Sequence, residues 1–76
     1  MIKFNTTYKI KYQRTDNPYP SIWNGSYRYV DKAMKKVEEL KKDPKITLIV
    51  LKKCNGHHFD TLYKYDEGFE IVYLKN

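Results

Sequence analysis

The sequence predicts an α+β protein: one antiparallel sheet of four to five strands, with a single helix packed on one face, in the order β-β-α-β-β-β. Three observations predict it. Residues 2–12 alternate apolar and polar side chains, the pattern of a half-buried strand. Residues 31–43 carry apolar side chains at helical spacing. Residues 46–74 hold apolar stretches broken at Asn55-Gly56 and at Asp66-Glu67-Gly68, the turn signals of a meander.

In the first strand Ile2, Phe4, Tyr8, Ile10 and Tyr12 share one side, and Lys3, Asn5, Lys9, Lys11 and Gln13 share the other. The pattern ends near Arg14. Thr15-Asp16-Asn17-Pro18-Tyr19-Pro20-Ser21 has the composition of an irregular turn, since proline fixes φ and lacks a donor. Residues 22–29 read as a second strand folding back on the first, with Asn24-Gly25 as a bulge or a tight turn.

The helix is expected over 31–43. Asp31 is the expected cap, because its carboxylate can accept from the unpaired amides of the first turn. Val30, Ala33, Met34, Val37 and Leu40 form one apolar stripe. Glu38 precedes Lys42 by four residues, in the favourable order. Pro44 stops the helix.

Ile46-Thr47-Leu48-Ile49-Val50-Leu51 is the one continuous apolar run, and it suits a strand covered on both faces. A two-residue loop at Asn55-Gly56 pairs Cys54 with His57, Val50 with Thr61 and Leu48 with Tyr63. Two registers compete at the next turn. A loop of Glu67-Gly68 alone sets Lys64 opposite Ile71 and Tyr65 opposite Glu70. A loop of Asp66-Glu67-Gly68 sets Lys64 opposite Glu70 and Leu62 opposite Val72. The second matches charge with charge and apolar with apolar, and it is the expected one. It places Ile46, Leu48, Val50, Phe59, Tyr63, Tyr65, Phe69, Ile71 and Tyr73 under the helix. Ile49, Leu51, Leu62, Val72 and Leu74 then form an aliphatic stripe on the other face, with Lys53 and Lys64 at its rim.

Seventy-six residues suffice for a single small domain spanning 1–76, of a size that is marginal alone or helped by self-association. The net charge of +6 favours polyanions or acidic protein surfaces as partners. The single cysteine excludes an internal disulfide, as suits a reducing compartment, so a cytoplasmic location is expected. The start of the chain lacks a signal-peptide pattern. The longest apolar run is far short of a membrane-spanning helix, so no membrane association is expected.

Candidate chemistry is sparse. Cys54-Asn55-Gly56-His57-His58 holds zinc-ligand types, but it offers at most three ligands, and alternation separates the two histidines. A metal shared across a dimer would be the one way to complete it. His57 or His58 with Asp60 makes a conceivable acid–base pair, yet no nucleophile is implied beside it. The three glycines punctuate turns, and none begins a phosphate loop. No enzyme activity, cofactor or small-molecule substrate is expected.

The expected function is therefore binding. The leading reading is docking to a protein partner, or to a second copy, through Ile49, Leu51, Leu62, Val72 and Leu74, with Lys53 and Lys64 beside them. An aliphatic centre with a charged rim is how a small interface is built. The alternative is direct, sequence-nonspecific nucleic-acid binding by Lys32, Lys35 and Lys36 on the helix and by Tyr63, Tyr65 and Tyr73, if those tyrosines stand exposed. In general style the chain resembles the small proteins of phages and mobile elements, many of which bind and block host or defence machinery. No motif carries that resemblance. It implies only a stoichiometric inhibitor, here of a nucleic-acid-handling complex given the charge.

Overall fold

The computed structural model describes residues 6–17 and 22–73. Within them the chain forms β1 (Thr6–Arg14), β2 (Ile22–Tyr27), α1 (Val30–Lys41), β3 (Ile46–Asn55), β4 (His58–Asp66) and β5 (Phe69–Val72). The strands make one antiparallel sheet in the spatial order β2-β1-β3-β4-β5. The expected α+β order is the observed one. The expected strand positions before Thr6, the last four residues of the Thr15–Ser21 turn and Leu74 lie outside the described residues.

The helix forms where the apolar stripe requires it, one residue earlier than expected. Ala33, Val37 and Leu40 are buried, with Val30 and Met34 packed beside them. Tyr29 is the N-cap, and it makes no side-chain cap hydrogen bond. Asp31 is therefore not the cap. It sits inside the first turn, where a carboxylate still interacts favourably with the positive end of the helix dipole. The helix ends at Lys41, and the Lys42 amide donates to the Glu39 carbonyl and the Asp43 amide to the Leu40 carbonyl, closing the last turn. The residue before a proline is pushed out of helical geometry, so Pro44 leaves the chain no room to continue. Glu38 pairs with Lys41 at 3.5 Å, one residue short of the expected Lys42.

Helix α1 lies over β3, β1 and part of β2. Beneath it are Ile10, Ile46, Ile49, Leu51 and Tyr63, and Ile10, Ile49, Leu51 and Val37 are the largest fully buried side chains. Each such aliphatic side chain contributes about 1.5–3 kcal/mol by leaving water. The arrangement corrects the expected faces. Ile49 and Leu51 lie in the core, whereas Leu48 and Val50 lie on the open side.

The reason is register. The first hairpin turns at Gly56-His57, with Asn55 opposite His58, not Cys54 opposite His57. Gly56 has φ of 63° at the first central position, where a type II′ turn needs a glycine. A straight ladder from there would set Lys64 opposite Ile49, in the core. Instead β4 carries a bulge. Leu51 faces Tyr63 while Lys52 faces Thr61, so Leu62 is the extra residue. Beyond it Tyr63 and Tyr65 face the core opposite Leu51 and Ile49, and Lys64 faces away opposite Val50.

A second bulge serves β2. Tyr8 pairs with Tyr27 but Ile10 pairs with Asn24, so Gly25 and Ser26 together oppose Lys9. Gly25 has φ of 62°, which suits a glycine-led bulge. Asn24-Gly25 is thus a bulge within a strand, the first of the two expected options.

The second hairpin takes the two-residue loop. Asp66 faces Phe69, Tyr65 faces Glu70 and Lys64 faces Ile71. The expected pairing of Lys64 with Glu70 is not made. Glu67 and Gly68 both have positive φ, 48° and 91°, the type I′ pattern whose twist matches that of the strands. Glu67 bears a backbone cost of roughly 1–2 kcal/mol in that conformation. Asparagine tolerates it better and is favoured at the first position of such a turn. Glu67→Asn should therefore raise the unfolding free energy by about 0.5–1 kcal/mol, measured by urea denaturation. A three-residue loop would gain nothing from the change.

A lysine-rich open face as the candidate functional site

With one side of the sheet under α1, the other side has no element covering it among the described residues. Strand alternation decides what that side presents. Since Tyr8, Ile10 and Tyr12 face the core, Lys9, Lys11 and Gln13 of β1 face outward. Cross-strand partners share a face. Lys9 is opposite Lys52, Lys11 is opposite Val50, and Gln13 is opposite Leu48. Val50 is opposite Lys64, and Lys64 is opposite Ile71. The open face thus holds four lysines, Lys9, Lys11, Lys52 and Lys64, around an aliphatic floor of Leu48 and Val50.

These side chains frame a shallow, open groove of about 460 Å³. Leu48 and Val50 line its floor, Lys11, Lys52 and Lys64 its walls, and Thr61 and Tyr73 its far end. Among the described strand positions, Asp66 is the one carboxylate on this face, opposite Leu48. It lies 4.0 Å from the Lys64 ammonium. Lys9 and Lys52 face each other with no described anion beside them. Like charges directly opposite on a sheet destabilise it.

The β5 edge is the apolar border of the face. Phe69 and Ile71 stand on the open side by register, and Phe69 is 76% exposed. Tyr73 is 47% exposed, and its amide donates to the Leu62 carbonyl at 2.8 Å, so its backbone is anchored.

The residues expected to form a docking stripe do not form one. Ile49 and Leu51 are fully buried under α1. Leu62 is the bulge residue, half-buried and packed against the core. Val72 is exposed, but it stands opposite Tyr63 on the helix side of the sheet. Lys53, opposite Tyr8 and Asp60, is also on the helix side, away from Lys64.

The tyrosines divide as well. Tyr63 is buried and Tyr65 half-buried beneath the end of the helix, as the leading reading expects and the alternative does not. Tyr63 Oη donates to Glu70 Oε1 at 2.8 Å. The Lys41 ammonium donates to the same oxygen and lies 5.9 Å from the Tyr65 ring centroid, within cation–π reach. Glu70 therefore latches β5 to the helix. Lys41, then Tyr63, hold its carboxyl below the usual range. Burial, then the Glu70 carboxylate, raise Tyr63 to about 12. Of the helix lysines, Lys32 and Lys35 are exposed, while Lys36 is 3.4 Å from Glu39. Carboxylates at Asp31, Glu38 and Glu39 dilute the positive charge of the helix surface.

A second charged cluster holds the far end of the sheet. Arg14 donates through Nε and Nη2 to both oxygens of Asp16, at 2.9 and 3.1 Å, and through Nη1 to Asp43 at 2.7 Å. Asp43 Oδ1 also accepts from the Lys45 amide, and the Thr15 amide donates to the Lys45 carbonyl. The cluster ties the end of β1 to the connection between α1 and β3. Arg14 holds Asp16 down to about 2.

Cys54 is buried and His57 and His58 are exposed at the hairpin. No group of three or more His, Cys, Asp or Glu gathers as a metal site among the described residues. No helix among them is long and apolar enough to cross a membrane. In comparison with known proteins, no family model matches the chain, and no curated protein or solved structure matches it significantly.

The Glu70 latch has a pH signature. Its carboxyl is depressed in the folded state, so its contribution is complete above the unfolded value of about 4.3. It is lost as pH falls through the folded value. Urea denaturation of wild type and Glu70→Gln should show wild type more stable at neutral pH, with the gap closing progressively below about pH 4. A gap unchanged between neutral and acid pH would mean that the carboxylate makes no such bond in solution.

Proposed function

We propose that the protein binds nucleic acid without reading sequence, through the open face of its sheet. The observation that carries this reading is Lys9 directly opposite Lys52, on a face that also holds Lys11 and Lys64. A sheet that sets two lysines against each other carries a repulsion that a bound phosphate would relieve. The helix lysines are secondary in this reading, because they are interspersed with carboxylates. Lysines contact the backbone as point charges, so they position the polymer and carry no sequence information.

Docking of a protein is the second reading, and exposed Phe69, Ile71 and Val72 on the β5 edge favour it. An edge strand offers unpaired backbone groups to another strand, from a foreign partner or a second copy. It differs from the expected stripe, which Ile49 and Leu51 do not supply.

The test is binding of random-sequence single- and double-stranded oligonucleotides, starting at low salt. Four phosphate contacts should give a salt slope of roughly −3 for a single strand. The double variant Lys9→Ala/Lys52→Ala should reduce that slope by about 1.4 units, at roughly 0.7 per lost contact. Its stability should be no lower than wild type, since a like-charge pair has been removed. Lys32→Ala/Lys35→Ala should leave the slope nearly unchanged. Failure to bind either polymer at low salt would reject this reading and leave the lysines to an acidic protein partner or to solubility.

A further inference from the structure

We infer that the polymer this face takes is a single strand whose bases stack on the exposed aromatic rings along β5 and just past its end, Tyr73 foremost. The inference rests on the nucleic-acid reading above and adds to it the strandedness and the base contact. Lysines alone would hold any polyanion. The aromatic residues beside them are what a duplex leaves unused, because its base faces are already stacked on one another. In an unpaired strand every base has a free π-face, and a ring beside a cationic groove can accept it whatever the sequence.

The placement of the rings supports this division of labour. Tyr73 lines the same groove as Lys52 and Lys64 and is 47% exposed. Phe69 and Ile71 precede it on β5, which ends at Val72, and stand on the open side by register. Alternate residues of a strand are about 6.6 Å apart, near the phosphate repeat of an extended nucleic-acid strand. Lys64 is one strand away from β5, and Lys52 and Lys11 are two and three strands away, at about 4.8 Å per strand. Bases laid along β5 would thus turn their phosphates toward the lysines. The arrangement also has a direction. Asp66 faces Phe69 and repels phosphate at that end, whereas Tyr73 lies at the Thr61 end, away from it. Tyr73 is therefore the main stacking platform, and Phe69 an accessory one.

Three probes of equal length test this with the intact protein: oligothymidylate, an abasic sugar-phosphate strand, and a duplex. Oligothymidylate should bind more tightly than the abasic strand by roughly tenfold, the order of one stacked base, and more tightly than the duplex. Tyr73→Ala should weaken oligothymidylate binding by about the same factor, while abasic binding stays as in wild type. Tyr73→Phe should restore the preference, and its unfolding midpoint, with that of Tyr73→Ala, separates a lost ring from a lost fold. Equal binding of oligothymidylate and the abasic strand would overturn stacking while leaving the lysine reading intact. Tighter duplex binding would overturn it in the same way. No binding of any probe would reject the nucleic-acid reading and this inference with it.

Discussion

A single twelve-residue helix can bury only one face of a five-stranded sheet. Which face it buries decides what the molecule presents to the outside. Here Ile10, Ile49 and Leu51 are adjacent across β1 and β3, and Val37 and Leu40 close over that side. Once Ile49 and Leu51 are inside, alternation forces Leu48, Val50 and Lys52 outward. The pairing of β1 with β3 then turns Lys9 and Lys11 outward as well. The lysine-rich face is a consequence of the core, reached through backbone geometry and not through any local motif.

Three register shifts, at Leu62 in β4, at Gly25 and Ser26 in β2 and at Thr47 in β3, make this sorting possible along the whole sheet. Without the extra Leu62, Lys64 would face the buried Ile49. With it, Tyr63 and Tyr65 enter the core, and Lys64 joins the lysines outside. The glycine-led bulge in β2 likewise brings Tyr27 opposite Tyr8, where it packs against the core. The polar latches then hold the periphery. Glu70 joins β5 to Lys41 and Tyr63, and Arg14 joins β1 to the turn before β3. Both latches are only part-buried, and ion pairs open to solvent contribute modestly, so their main effect is to set the position of each strand end.

The element order and the helix stripe were legible in the sequence, because both rest on periodicity over many residues. The faces of the meander were not, because they hang on a single extra residue within a strand. Asn55-Gly56 is a strong hairpin signal, yet the loop is Gly56-His57, which shifts the pairing by two residues and keeps the faces; the extra Leu62 is what moves Tyr63, Lys64 and Tyr65 to the opposite sides. Charge matching favoured Lys64 opposite Glu70, but Glu70 found Lys41 and Tyr63 across the helix contact, which no local pairing rule anticipates. A usable signal was present in Lys64. Any register that places it opposite Ile49 buries a charge without a partner, which is costly, and only a bulge or a shifted turn avoids that. The open face was legible in part, since Lys9 and Lys11 alternate clearly with Tyr8, Ile10 and Tyr12.

The proposed function depends on that uncovered face being where a polyanion touches the molecule. Backbone amide shifts recorded by NMR during titration with a random single strand at low salt locate that contact directly. Concentration-dependent changes are expected at Lys9, Lys11, Lys52, Lys64 and Tyr73, with the amides of Lys32, Lys35 and Lys36 nearly still. Changes confined to the helix surface, with the open face unmoved, would contradict the proposed function.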